Sequence, residues 1–208
     1  MEHKEQIDVS GNLEIYKVYE DGTEEKIFDD HNIITSGMGI GLALLYAGSG
    51  ANNITNFQIR YFQLGVGGDT KLTTYGVSET SLVSALGQVD GASDYQSGAQ
   101  SNLPLATHNL MSWNGGNIPT VGGSFGNDWF FGLISDNSIK RVDLNSITYI
   151  IYVARDACNL QTINEIGLFM KNPMGTSTYN SPLVAYRPFF GIAKTDDFAL
   201  VFKWTLNF

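Results

Sequence analysis

Apolar and polar positions alternate through the C-terminal segment Phe198–Phe208. Phe198, Leu200, Phe202, Trp204, Leu206 and Phe208 take every second place, with Ala199, Val201, Lys203, Thr205 and Asn207 between them. A period of two places one set on one face of a sheet, so the segment predicts a strand with a buried, largely aromatic face. A one-residue slip would turn those side chains outward, which fixes the register and makes this terminus structural. Upstream, Asn164–Phe169 and Leu183–Arg187 predict two more strands, separated by a loop containing Asn172, Pro173 and Gly175.

Near the start of the chain, Leu13–Tyr19 and Glu24–Phe28 flank Glu20-Asp21-Gly22-Thr23. Asp-Gly tolerates the positive φ of a tight turn, so this is a hairpin. Ser36 is expected to cap a helix over residues 37–47, and its apolar residues lie on nearly every side, which predicts burial. Gly37, Gly39 and Gly41 each cost a helix about 1 kcal/mol relative to alanine. Close packing against a strand is the expected reason for keeping them.

Residues 59–66 predict a strand that Gly67-Gly68-Asp69-Thr70 ends. Asn145–Val153 is apolar at both odd and even positions, which predicts a central strand covered on both faces. From Gly87 to Asn127 charge is sparse and Gly, Ser and Asn are dense, while Trp113, Phe125, Trp129, Phe130 and Phe131 lie in or just after the stretch. So many aromatics predict an ordered excursion that touches a neighbour or a second face of the subunit. No internal repeat is evident.

The fold class that follows is mainly β: an antiparallel, jelly-roll-like β-sandwich with one short buried helix and a long ordered loop insertion. Residues 1–208 are read as a single domain, with an N-terminal arm and hairpin over residues 1–30 and a Gly/Asn/Ser-rich insertion over residues 87–128. A domain of this size buries roughly 70% of its unfolded surface and needs no disulfide to hold it. Composition agrees, with 23 glycines and 12% aromatic residues suiting short strands and tight turns.

Several motifs carry a resemblance. They are Asn32-Ile33-Ile34 with Gly37, Leu64-Gly65-Val66-Gly67, Glu165-Ile166-Gly167-Leu168-Phe169, Leu183-Val184-Ala185-Tyr186-Arg187, and Lys194-Thr195-Asp196 leading to the Phe208 strand. In this order they resemble a domain found in many tailed-bacteriophage virion proteins. Where that family usually places a Glu and an Arg shortly after the Leu-Gly motif, this chain has Ser81-Leu82-Val83-Ser84, and it carries the 87–128 insertion in addition.

The resemblance implies a non-enzymatic structural protein of the virion. Its place would be the tail, the baseplate, the fibre attachment site or the capsid surface, as a decoration. Assembly in the host cytoplasm, a homo-oligomeric state and other virion proteins as partners are implied with it. No cofactor is implied.

Charge narrows the partners. Asp and Glu number 21 against 12 Lys and Arg, for a net charge of -9, which disfavours duplex nucleic acid. The N-terminus, Met-Glu-His-Lys-Glu-Gln-Ile-Asp, is acidic where a signal peptide is basic and then apolar. The apolar run Met38–Ala47 is about ten residues, too short to cross a bilayer, so no membrane is expected. Cys158 is the sole cysteine. Following an apolar strand, it is expected to be a quiet buried or half-buried thiol.

Candidate chemistry is sparse. Gly122-Gly123-Ser124-Phe125-Gly126 matches G-x-S-x-G, but Pro119 breaks the strand that should precede it and no helix follows. His3, His31 and His108 lack the helical pair spacing of a zinc site, and Asp29-Asp30-His31 reads as a solvated turn. Gly37-x-Gly39-x-Gly41 and Gly65-x-Gly67-Gly68 fail the dinucleotide spacing.

Asp196-Asp197 reads as a turn cap, with calcium contact the lesser alternative. Glu165, inside an apolar strand, predicts a buried hydrogen bond or an ion pair to Arg187 or Arg60. No catalytic, cofactor or metal residue is assigned. The alternative function is a carbohydrate or host-receptor binding module, using Trp113, Trp129 and several tyrosines to stack on sugars. A hydrolase would need paired carboxylates, which the sequence does not show.

Overall fold

The computed structural model describes residues 9–48, 53–79, 131–170 and 182–208, with the backbone alone for residues 131–133. Alternation organises the first sheet. Strand β1 (Ser10–Tyr19) buries Gly11, Leu13 and Ile15, and β10 (Phe198–Asn207) buries Phe198, Leu200, Phe202, Trp204 and Leu206. The two pair antiparallel from Ser10↔Asn207 to Tyr19↔Phe198. Strand β2 (Glu24–His31) flanks β1, while β7 (Ser146–Val153) and β6 (Ile139–Arg141) continue on the far side of β10. The resulting sheet A has the order β2-β1-β10-β7-β6.

The hairpin turn forms where expected. Gly22 has φ +84°, and the Thr23 amide donates to Asp21 Oδ1 at 2.8 Å. Both arms extend further than the apolar signal, from Ser10 and as far as His31.

Sheet B has the order β3-β9-β8-β4-β5, built from β3 (Ile33–Ile34), β4 (Ile59–Gly65), β5 (Phe131–Leu133), β8 (Thr162–Met170) and β9 (Leu183–Ala193). All its described pairings are antiparallel. Strand β9 runs past the expected Arg187 because Pro188 falls at an irregularity of the β8–β9 ladder, beyond the end of short β3, a position that tolerates a missing amide hydrogen. Between the sheets Leu13, Ile15, Ile151, Phe202 and Trp204 pack with Leu64, Ile166, Leu168, Val184 and Phe189 in one hydrophobic cluster. The protein is therefore mainly β, a sandwich of two antiparallel sheets with five strands each among the described residues, as the alternation predicts.

Two expectations need correction. Helix α1 (Ser36–Ala47) is not buried: Gly37, Met38 and Gly41 are, but Ile40 and Tyr46 are exposed. Only one side of the helix meets the sheet, where a Cβ at Gly37 would strike the Leu183 carbonyl and one at Gly41 the Met170 side chain. Thr35, not Ser36, is its N-cap residue, and its hydroxyl donates instead to the Leu183 carbonyl. Strand β7 is covered on one face only, since Tyr149, Ile151 and Val153 are buried while Ile150 is half-buried and Tyr152 exposed. Strands covered on both faces are β8, buried everywhere but Thr162, and β4, buried everywhere but Arg60.

The insertion expected over residues 87–128, and any jelly-roll winding completed through it, lie outside the described residues. So does most of the N-terminal arm.

Candidate functional site

Sheet B has a second buried layer. Pairing sets Tyr61 opposite Phe169, Gln63 opposite Gly167 and Gly65 opposite Glu165, while Tyr186 stands opposite Gly167 on the other side. Residues on one pleat row share a face. Tyr61, Gln63, Glu165, Phe169 and Tyr186 are all buried, yet Tyr61, Phe169 and Tyr186 do not belong to the cluster between the sheets. They form a polar and aromatic layer on the outer face of sheet B.

At its centre the two most telling sequence motifs meet. Gly67 and Gly68, just after β4, donate consecutive backbone amides to side chains of β8: Gly67 to Glu165 Oε1 at 3.0 Å, Gly68 to Asn164 Oδ1 at 2.7 Å. One amide thus meets a carboxylate and the next a neutral amide oxygen, and the charge-assisted bond to Glu165 is the stronger of the two. A side chain at position 68 would collide with the backbone carbonyl of Asn164, so glycine is required by space. Tyr186 completes the arrangement, its hydroxyl donating to Glu165 Oε2 at 2.6 Å. Burial first, and the Glu165 charge second, push the Tyr186 hydroxyl pKa well up, which keeps it a donor.

The chain beyond Gly68 is fastened by a second device. Arg187, on β9, donates to Asp30 on β2 and to the Tyr75 hydroxyl, and its guanidinium lies 5.3 Å from the Phe28 ring centre and 5.1 Å from that of Tyr75. Tyr75 also packs edge-on to Tyr186 at 6.1 Å, and Lys71 pairs with Glu79 at 2.8 Å. One arginine thus ties sheet A, sheet B and the segment after β4 together.

Glu165 is buried and polar-bonded as its apolar setting predicts, but the expected arginine partners are otherwise engaged. Arg187 pairs with Asp30 and Arg60 pairs with Asp136. Its described partners are instead the Gly67 amide, which carries no residue-type signal in a sequence, and the Tyr186 hydroxyl.

A second buried charge went unnoticed in the sequence. Lys194 is 1% exposed, and its ammonium donates to the Arg155 carbonyl at 2.9 Å, Asn159 Oδ1 at 3.3 Å and the Thr195 carbonyl at 2.6 Å. Burial lowers its pKa. The side chain pins the 154–161 turn to the approach of β10. Its signal was its place in the family-like motif, which alone does not reveal burial.

The remaining candidates are dispersed. Cys158 is a buried thiol, as expected, and burial pushes its pKa up. Asp197 accepts from the Thr195 hydroxyl at 2.9 Å inside the turn before β10. Asp29 bonds Asn12 and Lys26, whereas Asp30 bonds Arg187, so the Asp29-Asp30-His31 run does not converge on one point. Among the described residues no group of three or more His, Cys, Asp or Glu is placed to hold a metal ion. Likewise, no described helix is long and apolar enough to cross a membrane. Gly122–Gly126, His3, His108, Trp113 and Trp129 lie outside the described residues.

One concavity is well formed. A groove of about 420 Å³ opens at the end of the sandwich where β4 begins and β8 and β10 finish, lined by Met38, Leu42, Phe57, Ile139, Tyr149 and Phe208 among others. The Arg60–Asp136 ion pair lies on its wall. The lining is mainly apolar, with Gln58 and the mutually paired Arg60 and Asp136 as its polar part, which suits a mainly apolar guest. Searches of protein-family models, curated proteins and solved structures find no match for this chain.

Proposed function

We propose that the protein is a non-enzymatic structural subunit of a tailed-bacteriophage virion. It would act by protein–protein assembly as an oligomeric accessory at the tail, baseplate or fibre attachment site, or on the capsid surface. The observation that carries this reading is the meeting of the Leu-Gly-Val-Gly and Glu-Ile-Gly-Leu-Phe motifs at the Glu165 and Asn164 contacts with Gly67 and Gly68. Among the family-like residues Asn164, Glu165, Tyr186 and Lys194 are buried and hold the framework. A pattern of that kind suits a scaffold whose surface does the work.

A glycan or host-receptor binding module is the second reading. It is favoured by the outer face of sheet A, where Tyr16, Val201 and Tyr152 stand in one row across three strands. Light scattering of the purified chain, with a glycan-binding screen on the same sample, separates the two. A defined ring or small oligomer that ignores glycans supports the assembly reading, and a glycan-binding monomer overturns it.

A further inference from the structure

The two ends of the sandwich differ in charge and in shape. At one end lie the β1–β2 turn, the 154–161 turn and the 194–197 turn, drawn together by the Arg155–Glu20 ion pair at 3.1 Å and by the Leu160 amide donating to the Lys194 carbonyl at 3.1 Å. Glu20, Asp21, Glu24, Asp156, Asp196 and Asp197 are exposed there. From this acidic end projects Leu160, 96% exposed and held at φ +69°. A leucine in the left-handed region is strained, and an apolar side chain fully in water returns nothing for that strain.

At the opposite end lies the apolar groove. Val142 and Leu144 are exposed beside it, on the connection that leads to β7 and Phe208. Lys140 and Arg141 are exposed on the neighbouring strand β6, and neither forms an ion pair among the described residues. The groove end therefore offers a mainly apolar socket beside Lys140 and Arg141, the latter donating to the Asp143 and Leu144 carbonyls at 3.1 and 2.9 Å, with Asp136 and Asp143 as the carboxylates of that end. The opposite end offers an apolar knob surrounded by six carboxylates.

We infer that a second copy of this chain docks head to tail: Leu160 of one copy enters the groove of the next, with the acidic end facing Lys140 and Arg141. Charge complementarity and the fit of knob to socket select this occupant over an unrelated protein. The contact is heterologous, so repeated docking closes a ring or extends a filament according to the rotation per step. The inference rests on the self-association contained in the proposed function and gives it an interface.

The test uses the full-length chain and two surface variants, Leu160→Asp and the double variant Lys140→Glu/Arg141→Glu. All three positions are exposed, so folding should survive. Analytical ultracentrifugation should show self-association of the wild type that weakens with salt. Each variant alone should raise the dissociation constant by roughly tenfold or more. Mixed together, the two variants should form a one-to-one pair, because each retains the face that the other lacks.

Leu160→Gly relieves the strained φ while removing the knob. It should lose assembly without losing thermal stability, which separates docking from folding. Oligomers that survive both Leu160 variants overturn this contact and leave the assembly reading standing. A wild type that stays monomeric at its highest soluble concentration overturns the contact, and if it is also absent from virions the functional reading falls with it.

Discussion

The two sheets of this sandwich use the same alternation of residues to different ends. Sheet A is covered on one face: along β1 and β10 the buried side chains are those that point at the partner sheet, and Tyr16, Val201 and Lys203 between them stay partly open. Sheet B is covered on both. Strand β8 is buried along almost its whole length, and the outer face of the sheet carries Glu165, Gln63 and three aromatics, from β8, β4 and β9, under α1 and the segment after β4. Covering a second face with loops brings backbone amides into the interior, and these need partners. Glu165 and Asn164 supply them, so the polar residues of sheet B are structural and those of sheet A are solvated.

That contrast sets an order of sensitivities. Glu165→Ala should be the most damaging change. It leaves the Gly67 amide and the Tyr186 hydroxyl without their acceptor, and buried donors of this kind cost about 1–3 kcal/mol each. Chemical denaturation should show a loss of about 3 kcal/mol or more; a loss under about 1 kcal/mol would contradict the structural role. Gly68→Ala should follow at about 2–3 kcal/mol, since the new methyl has only backbone to displace. Lys194→Met keeps the length but strips three oxygens of their donor, and a loss of about 2 kcal/mol is expected.

Alkali should act on the buried phenols. Tyr61 and Tyr149 have pKa values raised by burial to about 12. Their folded values exceed the unfolded value of 10, so the stability they contribute is complete below pH 10 and is lost as pH rises through about 12. Phenolate absorbance should therefore rise together with unfolding in that window. Early ionisation of every tyrosine without unfolding would show that the buried layer is open to water.

Smallest of all should be Val201→Thr on the outer face of sheet A, within about 0.5 kcal/mol. A large loss there would mean that this face is covered after all and would erase the contrast between the sheets.

How much of this was legible in the sequence follows from the same contrast. Strands β1 and β10 are readable because one open face leaves the period of two visible, whereas β2 is marked by the Asp-Gly turn before it. Strand β7 is less legible: Ile150 and Tyr152 are apolar, which predicts cover, but an apolar side chain at a surface is ordinary and does not report what lies over it. Helix α1 is less legible for the same reason. Being apolar all round told nothing of which neighbours exist, and only its glycine side meets β8 and β9.

The Glu165 position was marked by its apolar setting, but its partner was not, because Gly67 lies 98 residues earlier and offers a backbone amide. Lys194 was read only as the start of the closing strand, since nothing local shows that three oxygens will surround its ammonium. The strained, exposed Leu160 was invisible, because φ is not written in residue types.

The central claim is that this framework serves assembly in a virion, and location tests it most directly. Phage particles purified by density gradient from cells expressing this subunit with an epitope tag can be imaged by electron microscopy with a gold label against the tag. The account predicts label at symmetry-related positions on the tail, the baseplate or the capsid surface. Purified, infective particles that carry none of the protein would contradict it.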